Sequence, residues 1–322
     1  MIYGNQDKKI LGILLTLAMV MGMMPVHAVS AYLWIGGEPV SPAGTSTGTG
    51  WSYVSSTNTL TLNGFTCKNG QKSGIGYEGR DELKIILTGT NTITTVSNGI
   101  YSDRGVLNIS GTGSLSITAS NDVAAIISYK DIIIDSGTIT AEGGYGIQTQ
   151  YSGSVIINGG TVTATSTCDN AGIYSTKGIT INGGEVTAGG KSYGIFAYGG
   201  LTISKGTVKA TGSGDNSRGI HAYDSITISG GEVTATGTKA DITSESNGIT
   251  FSGGKVVATA TGTTTGACGI NSLKNGDPNF VSVSDGASIT ASGNSGAIFG
   301  KVIYSSAAFL DLRSRQRALK TA

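Results

Sequence analysis

From residue 98 onward the chain reads as short phrases in which apolar and polar residues alternate, the period of a half-buried strand. Segments starting at Asp131, Ser154, Gly178, Gly200, Ser225 and Gly248 read DIIIDSGTITA, SVIINGGTVTA, GITINGGEVTA, GLTISKGTVKA, SITISGGEVTA and GITFSGGKVVA. Their starts lie 23, 24, 22, 25 and 23 residues apart. VLNISGTGSLSITA from Val106 and FVSVSDGASITA from Phe280 are looser copies. Between the copies falls a second phrase: NGIYS (98–102), YGIQT (145–149), AGIYS (171–175), YGIFA (193–197), RGIHA (218–222) and CGINS (268–272).

Each phrase predicts a strand. In GITINGGEVTA, Ile179, Ile181, Val186 and Ala188 face one way, and Thr180, Glu185 and Thr187 the other. The glycines between them supply the positive-φ residues that a sharp corner requires. No single repeat can bury its own apolar face, so repeats must stack. Stacking makes one ladder of Ile157, Ile181, Ile203, Ile228 and Phe251, a second from Ile139 to Val256, and a third of alanines from Ala141 to Ala258. The pattern therefore predicts an all-β chain, a right-handed parallel β-helix (solenoid) of about ten coils.

Solenoid ends need covering. Leu33-Trp34-Ile35, Trp51 to Tyr53 and the 59–62 stretch predict an N-terminal β cap. At the other end, Phe309, Leu312 and Leu319 have the spacing of a short C-terminal helix cap. The alternative there is a basic tail, since Arg313, Arg315, Arg317 and Lys320 cluster in it. The expected boundaries are 1–28 for a signal peptide, 29–72 for the cap region, 73–303 for the β-helix and 304–322 for the tail or cap.

The signal peptide is read from Lys8 and Lys9, the apolar run 10–24, and Val26-His27-Ala28 before the expected cleavage. A membrane anchor is the other reading of that run, which is shorter than the ~20 residues a bilayer core needs. Export, with no membrane association after cleavage, is the expectation, and cell-surface association remains open. Charged residues make up 13% of the chain and the net charge is +1, which removes any electrostatic case for nucleic acid. Cys67, Cys168 and Cys268 stand about a hundred residues apart, roughly four coils or ~19 Å on a solenoid, beyond bridging distance. Three free thiols are predicted.

If the isoleucine of each Gly-Ile pair points inward, the next residues point outward: Tyr101, Ile127, Gln148, Tyr174, Phe196, His221 and Phe299. Two places further on come Asp103, Tyr129, Gln150, Thr176, Tyr198, Tyr223 and Leu273. Tyr101, Tyr129, Tyr174, Phe196, Tyr198, His221 and Tyr223 thus form rows of rings at ~4.8 Å intervals, a platform on which sugar rings stack by their CH faces. Aromatic ladders also steady a sheet through cross-strand contacts worth ~0.2–1 kcal/mol each. For the face as a whole, binding is the reading, because exposed apolar area on an exported protein needs a partner.

A second outer column carries Thr140, Thr163, Thr187, Lys209, Thr234 and Val257. An unbroken threonine array would order water as ice-binding solenoids do, but Lys209 and Val257 interrupt this one. Threonine as a good strand former is the simpler account. An enzyme is the sharper alternative. Hydrolysis needs two carboxyl groups ~5–9.5 Å apart, and Glu185 and Glu232 share a column only with Thr207 between them. Asp122, Asp169 and Asp215 recur in the longer loops. They read first as turn residues and second as a loop calcium site. His221 is the sole histidine after the expected cleavage, so no triad can be assembled.

LWIGG (33–37), the 50–65 stretch GWSYVSSTNTLTLNGF, GTNTIT (89–94) and the recurring ITISGG-x-VTA together resemble secreted β-helix proteins of gut and cellulolytic Firmicutes, described as carbohydrate-binding domain-containing. The resemblance covers nearly all of the chain after residue 28. It implies non-catalytic binding of plant or bacterial polysaccharide, acidic pectin-type polymers included, with structural calcium in some members. No site motif is matched, so no ligand residue carries over. The other readings are a surface adhesin or structural protein that contacts other surface proteins, and a polysaccharide lyase-like enzyme.

Overall fold

The computed structural model describes residues 32–41, 43–70, 72–263, 266–274, 277–284, 286–304 and 309–314. The signal peptide expected over 1–28 lies outside them, as do Arg315, Arg317, Leu319 and Lys320. The described chain is a parallel β-solenoid of about ten coils, with three sheets running along its length.

One coil shows how the repeat builds it. Ile179–Ile181 lies in the first sheet, which we call sheet B, and Glu185–Gly190 in sheet C. Tyr193–Ala197 lies in sheet A, after which Leu201–Ile203 returns to sheet B one rung on. All three pair in parallel with the coils on either side. The corner between sheets B and C needs its glycine. Gly184 has φ +81°, and a Cβ there would lie 2.5 Å from the Gly160 carbonyl oxygen of the coil before. Outside that corner the Asn182 Nδ2 donates to Asn158 Oδ1 at 2.8 Å, and Asn158 Nδ2 to Asp135 Oδ1 at 2.7 Å.

The predicted ladders are the core. Ile157, Ile181, Ile203, Ile228 and Phe251 are in direct register and fully buried. The valine column and the alanine column beside it are equally enclosed. Each isoleucine rung contributes about 1.5–3 kcal/mol of burial, which only stacking provides. At the turn from sheet A to sheet B, Ser102, Ser128, Thr149 and Ser175 point inward and are buried. Their hydroxyls hold the turn backbone: Ser175 Oγ donates to the Gly178 carbonyl at 2.9 Å and Thr149 Oγ1 to that of Gly153 at 2.8 Å.

The front of the solenoid is covered by antiparallel strands. Trp51–Val54 pairs with Thr45–Gly48 and with Thr59–Asn63, and Leu33–Ile35 pairs with Ile75–Tyr77. Thr59–Asn63 also pairs in parallel with Leu83–Thr88, so it is both cap and first rung. The C-terminal end differs from the helix that its spacing suggests. Phe309–Ser314 is a strand, parallel to Ala287–Gly293. Pairing along the open backbone edge of that last sheet C strand gives alternate peptide groups of the 309–314 segment hydrogen-bond partners, and a helix on the coil end would leave that edge unpaired. Leu310 packs against the core, and Leu312 stands across from Ala291. Cys67, Cys168 and Cys268 are all free, as their separation requires.

Candidate functional site

Sheet A carries the rings, and its register places them. In one outward column run Tyr101, Ile127, Gln148, Tyr174, Phe196, His221, Thr243, Asn271 and Phe299, rung by rung. Tyr129, Tyr198 and Tyr223 follow two residues later on their own rungs. Outward does not mean exposed, however. Phe196 and His221 are only 6% and 3% exposed, against the open rows that the alternation predicts. The reason is crowding: Phe196 has the rings of Tyr174, Tyr193, Tyr198, His221 and Tyr223 around it, with centroids 4.8–5.8 Å away. Phe196 and His221 are therefore the floor of an aromatic cluster, and the tyrosines are its surface.

Two groups of rings result. Tyr101, Tyr129 and Tyr151 meet edge to face, with centroids 5.6 and 4.8 Å apart. The larger group runs from Tyr145 through Tyr174, Phe196, Tyr193, His221, Tyr198 and Tyr223. Tyr198 and Tyr223 lie stacked at 4.9 Å and 13°, and they are 50% and 43% exposed. Burial raises the Tyr174 hydroxyl to about 12, with the neighbouring Tyr198 adding to it, so the ring stays neutral. Tyr145, Tyr151 and Tyr193 were not among the residues picked out by alternation. Tyr145 and Tyr193 stand two residues before the inward isoleucine, where strict alternation points inside. The backbone turns at this corner, and both rings come to the outer face. Tyr151 follows sheet A at φ +54° with 76% of its surface exposed.

Beside the rings on the C-terminal side the face becomes polar. Arg218 Nη2 lies 3.8 Å from Glu245 Oε1, and His221 Nε2 lies 3.4 Å from the same oxygen, at an angle that makes no hydrogen bond. Burial first, then the Arg218 charge, holds the imidazole down to about 3, so it is neutral across the physiological range. One rung on, Asp241 occupies the corner place that glycine fills in the neighbouring coils. Its Oδ1 accepts from the Gly237 amide at 2.6 Å, and burial raises its carboxyl to about 9.

Asp122, Asp169 and Asp215 do not come together. All three are exposed in turns between sheets C and A, each two coils from the next, about 10 Å at the strand spacing. Asp169 Oδ1 is 3.3 Å from Lys191 Nζ. Calcium takes about six to eight oxygens, and these residues do not fit a shared ion. No group of three or more His, Cys, Asp or Glu able to hold a metal is found among the described residues. In sheet C, Glu185 and Glu232 are separated by Thr207, and Glu232 pairs with Lys255 at 2.7 Å. A cleft of about 470 Å³ lies away from the rings, against the N-terminal cap. On its wall Tyr53 Oη donates to Asn58 Oδ1, and Asn58 Nδ2 to Tyr77 Oη.

A family model described as carbohydrate-binding domain-containing protein matches residues 52–266, two thirds of the chain and all of the ring-bearing rungs from Tyr101 to Tyr223. No curated protein and no solved structure matches it.

Proposed function

The chain belongs to the carbohydrate-binding domain-containing family, and from that premise we propose that it is an exported protein that binds polysaccharide, without cleaving it, on the ring-bearing face of sheet A. One observation carries this reading: the continuous aromatic cluster on sheet A whose surface is Tyr198 and Tyr223, stacked at 4.9 Å and about half exposed. The CH face of a pyranose is apolar and matches such rings. Successive rungs are ~4.8 Å apart, close to the length of one sugar in an extended chain, so a glycan lying along the solenoid axis meets one rung per residue. Phe196 and His221 hold the tyrosines in place from below. Binding without catalysis is supported by the lack, among the described residues, of paired acids on adjacent rungs of sheet C and by the neutral, buried His221. The residues before 29 supply the export leader.

The test is retention of the chain from residue 29 on insoluble polysaccharides and in gels containing soluble ones, with released sugar measured in the same samples. Retention without released sugar, lost in the Tyr198→Ala/Tyr223→Ala variant, is the expected result. Release of sugar by the wild type, or equal retention of the variant, overturns the reading.

A further inference from the structure

The outward column of sheet A extends beyond Tyr101 toward the N-terminal cap. One rung before Tyr101 stands Gly76, and one strand further, on the antiparallel cap strand Leu33–Ile35, stands Trp34, each in direct register with the next. Leu33 and Ile35 are buried, so Trp34 between them has the outward phase of the rings. From Tyr101 to Phe299 a side chain fills this column on every rung, and among its described positions only Gly76 brings none. The empty rung opens a groove of about 330 Å³, lined by Trp34, Gly76, Tyr101, Lys72, Ser73 and Ser97. That volume falls within the range of small-molecule sites, about 300–1,000 Å³. Both walls are braced. Tyr101 rests edge to face on Tyr129, one rung on, with centroids 5.6 Å apart. Lys72 Nζ donates to the Gly37 carbonyl at 2.9 Å, which ties the rim to the turn after the Trp34 strand.

We propose that this groove is an anchoring subsite that takes one pyranose ring of a glycan between Trp34 and Tyr101, over Gly76. The choice of a sugar as occupant rests on the reading of sheet A as the glycan platform. Width fits the occupant. Trp34 and Tyr101 stand two strand spacings apart, ~9.6 Å at the backbone, and a ring held between two others needs two carbon contacts of ~3.5–4.0 Å, or ~7–8 Å. Chemistry fits as well. A pyranose is apolar on its faces and carries hydroxyls around its edge. The groove sets an indole and a phenol against the faces, while Ser73 and Ser97, both half-buried, bring hydroxyls that donate and accept. On the later rungs a sugar can only lie on the ring surface. Here it drops between two rings, which fixes where along the solenoid the glycan begins. Trp34 precedes the matched residues 52–266, so one wall of the subsite comes from outside the stretch that defines the family.

Trp34 itself reports occupancy. The chain has two tryptophans, and the other, Trp51, lies in sheet B. In a Trp51→Phe background, Trp34 emission is titrated with cellotriose, xylotriose, mannotriose and trigalacturonate. These fill the groove without reaching Tyr198, four rungs or ~19 Å beyond Tyr101. At least one is expected to move the emission to shorter wavelength, with saturation. Gly76→Val puts a side chain into the empty rung and should weaken that binding about tenfold, the loss of one stacked face. Gly76 is not among the glycines with positive φ, so valine suits its backbone, and a melting curve checks that the variant is folded. Tyr101→Ala, which removes a wall, should weaken it likewise, and Tyr198→Ala/Tyr223→Ala should not. No saturable change with any of the four, or equal titration of Gly76→Val and Tyr101→Ala, overturns the groove, whether or not the wild type is retained on polysaccharide. A saturable change lost in those two variants, with polymer retention indifferent to Tyr198 and Tyr223, removes the platform and leaves the groove standing.

Discussion

Phe196 and Tyr223 touch each other, yet they do different work. Phe196 is enclosed by five rings, so Phe196→Ala should cost about 3 kcal/mol of stability in denaturant titration, the usual loss for a buried phenylalanine. Tyr223 has an exposed face, and Tyr223→Ala should cost well under half as much while weakening glycan retention. Equal losses of stability would show that both rings are structural. Asp241 gives a pH signature. Its carboxyl is raised to about 9 from an ordinary 3.8. Across that window the folded chain keeps a proton that the unfolded chain has released, so this group's contribution to stability falls as pH rises. His221 acts at the other end. It is lowered to about 3 from 6.5, so the unfolded chain takes up a proton that the folded chain refuses, and stability falls as pH drops through that range. Asp241→Asn should remove a decline that runs from about pH 4 to 9, leaving the His221 rise up to about pH 6.5 and a flat curve above it. Melting temperatures measured from pH 4 to 9 check it, and parallel curves for variant and wild type would contradict the assignment.

At the scale of the strand and its corner, the recurrent glycine is the strictest requirement. Gly184→Ala must place a Cβ against the Gly160 carbonyl at φ +81°, and should cost more than the ~1–2 kcal/mol of the left-handed conformation alone. Gly189→Ala, five residues after the corner glycine, where a Cβ meets nothing, is the matched control in the same thermal melts. Strands and inner ladders were legible because each depends on neighbours one or two residues away and recurs at a fixed period. Ile181 and Val186 announce their burial locally. What alternation did not show was how rings on different rungs cover one another. Phe196 and Tyr198 have the same outward phase, and only the meeting of three coils decides which is floor and which is surface. Tyr193 was missed because the corner backbone departs from period two just there. Thr243 and Asp241 were missed because ADITS (240–244) lacks the Gly-Ile pair, although counting 22 residues on from Arg218 lands on Ala240. The C-terminal segment misled for a related reason: Phe309 and Leu312 fit a helical turn, while Leu310 and Leu312 fit a strand, and a free sheet edge chose between them.

For the whole molecule, stability is close to a sum over coils and the contacts between neighbours. Removing one complete coil, residues 178–199, joins Lys177 to Gly200 and sets Ile157 against Ile203 in the register that Ile181 had. That variant should fold cooperatively at a lower melting temperature, with a β-rich circular dichroism spectrum. Removing residues 178–188, half a coil, should leave no cooperative transition. Similar melts for the two deletions would refute the coil as the unit of folding. The same arrangement bears on inheritance. Tyr198 and Tyr223 are stacked on each other but 25 residues apart in the chain. A codon change therefore edits one rung of the platform, whereas a copying slip of one repeat adds or deletes an entire rung and leaves its neighbours in step. Descendants of such a gene can lengthen or shorten the ring-bearing face in steps of one rung, and with it, on the function proposed above, the stretch of glycan it grips, without inventing a new contact.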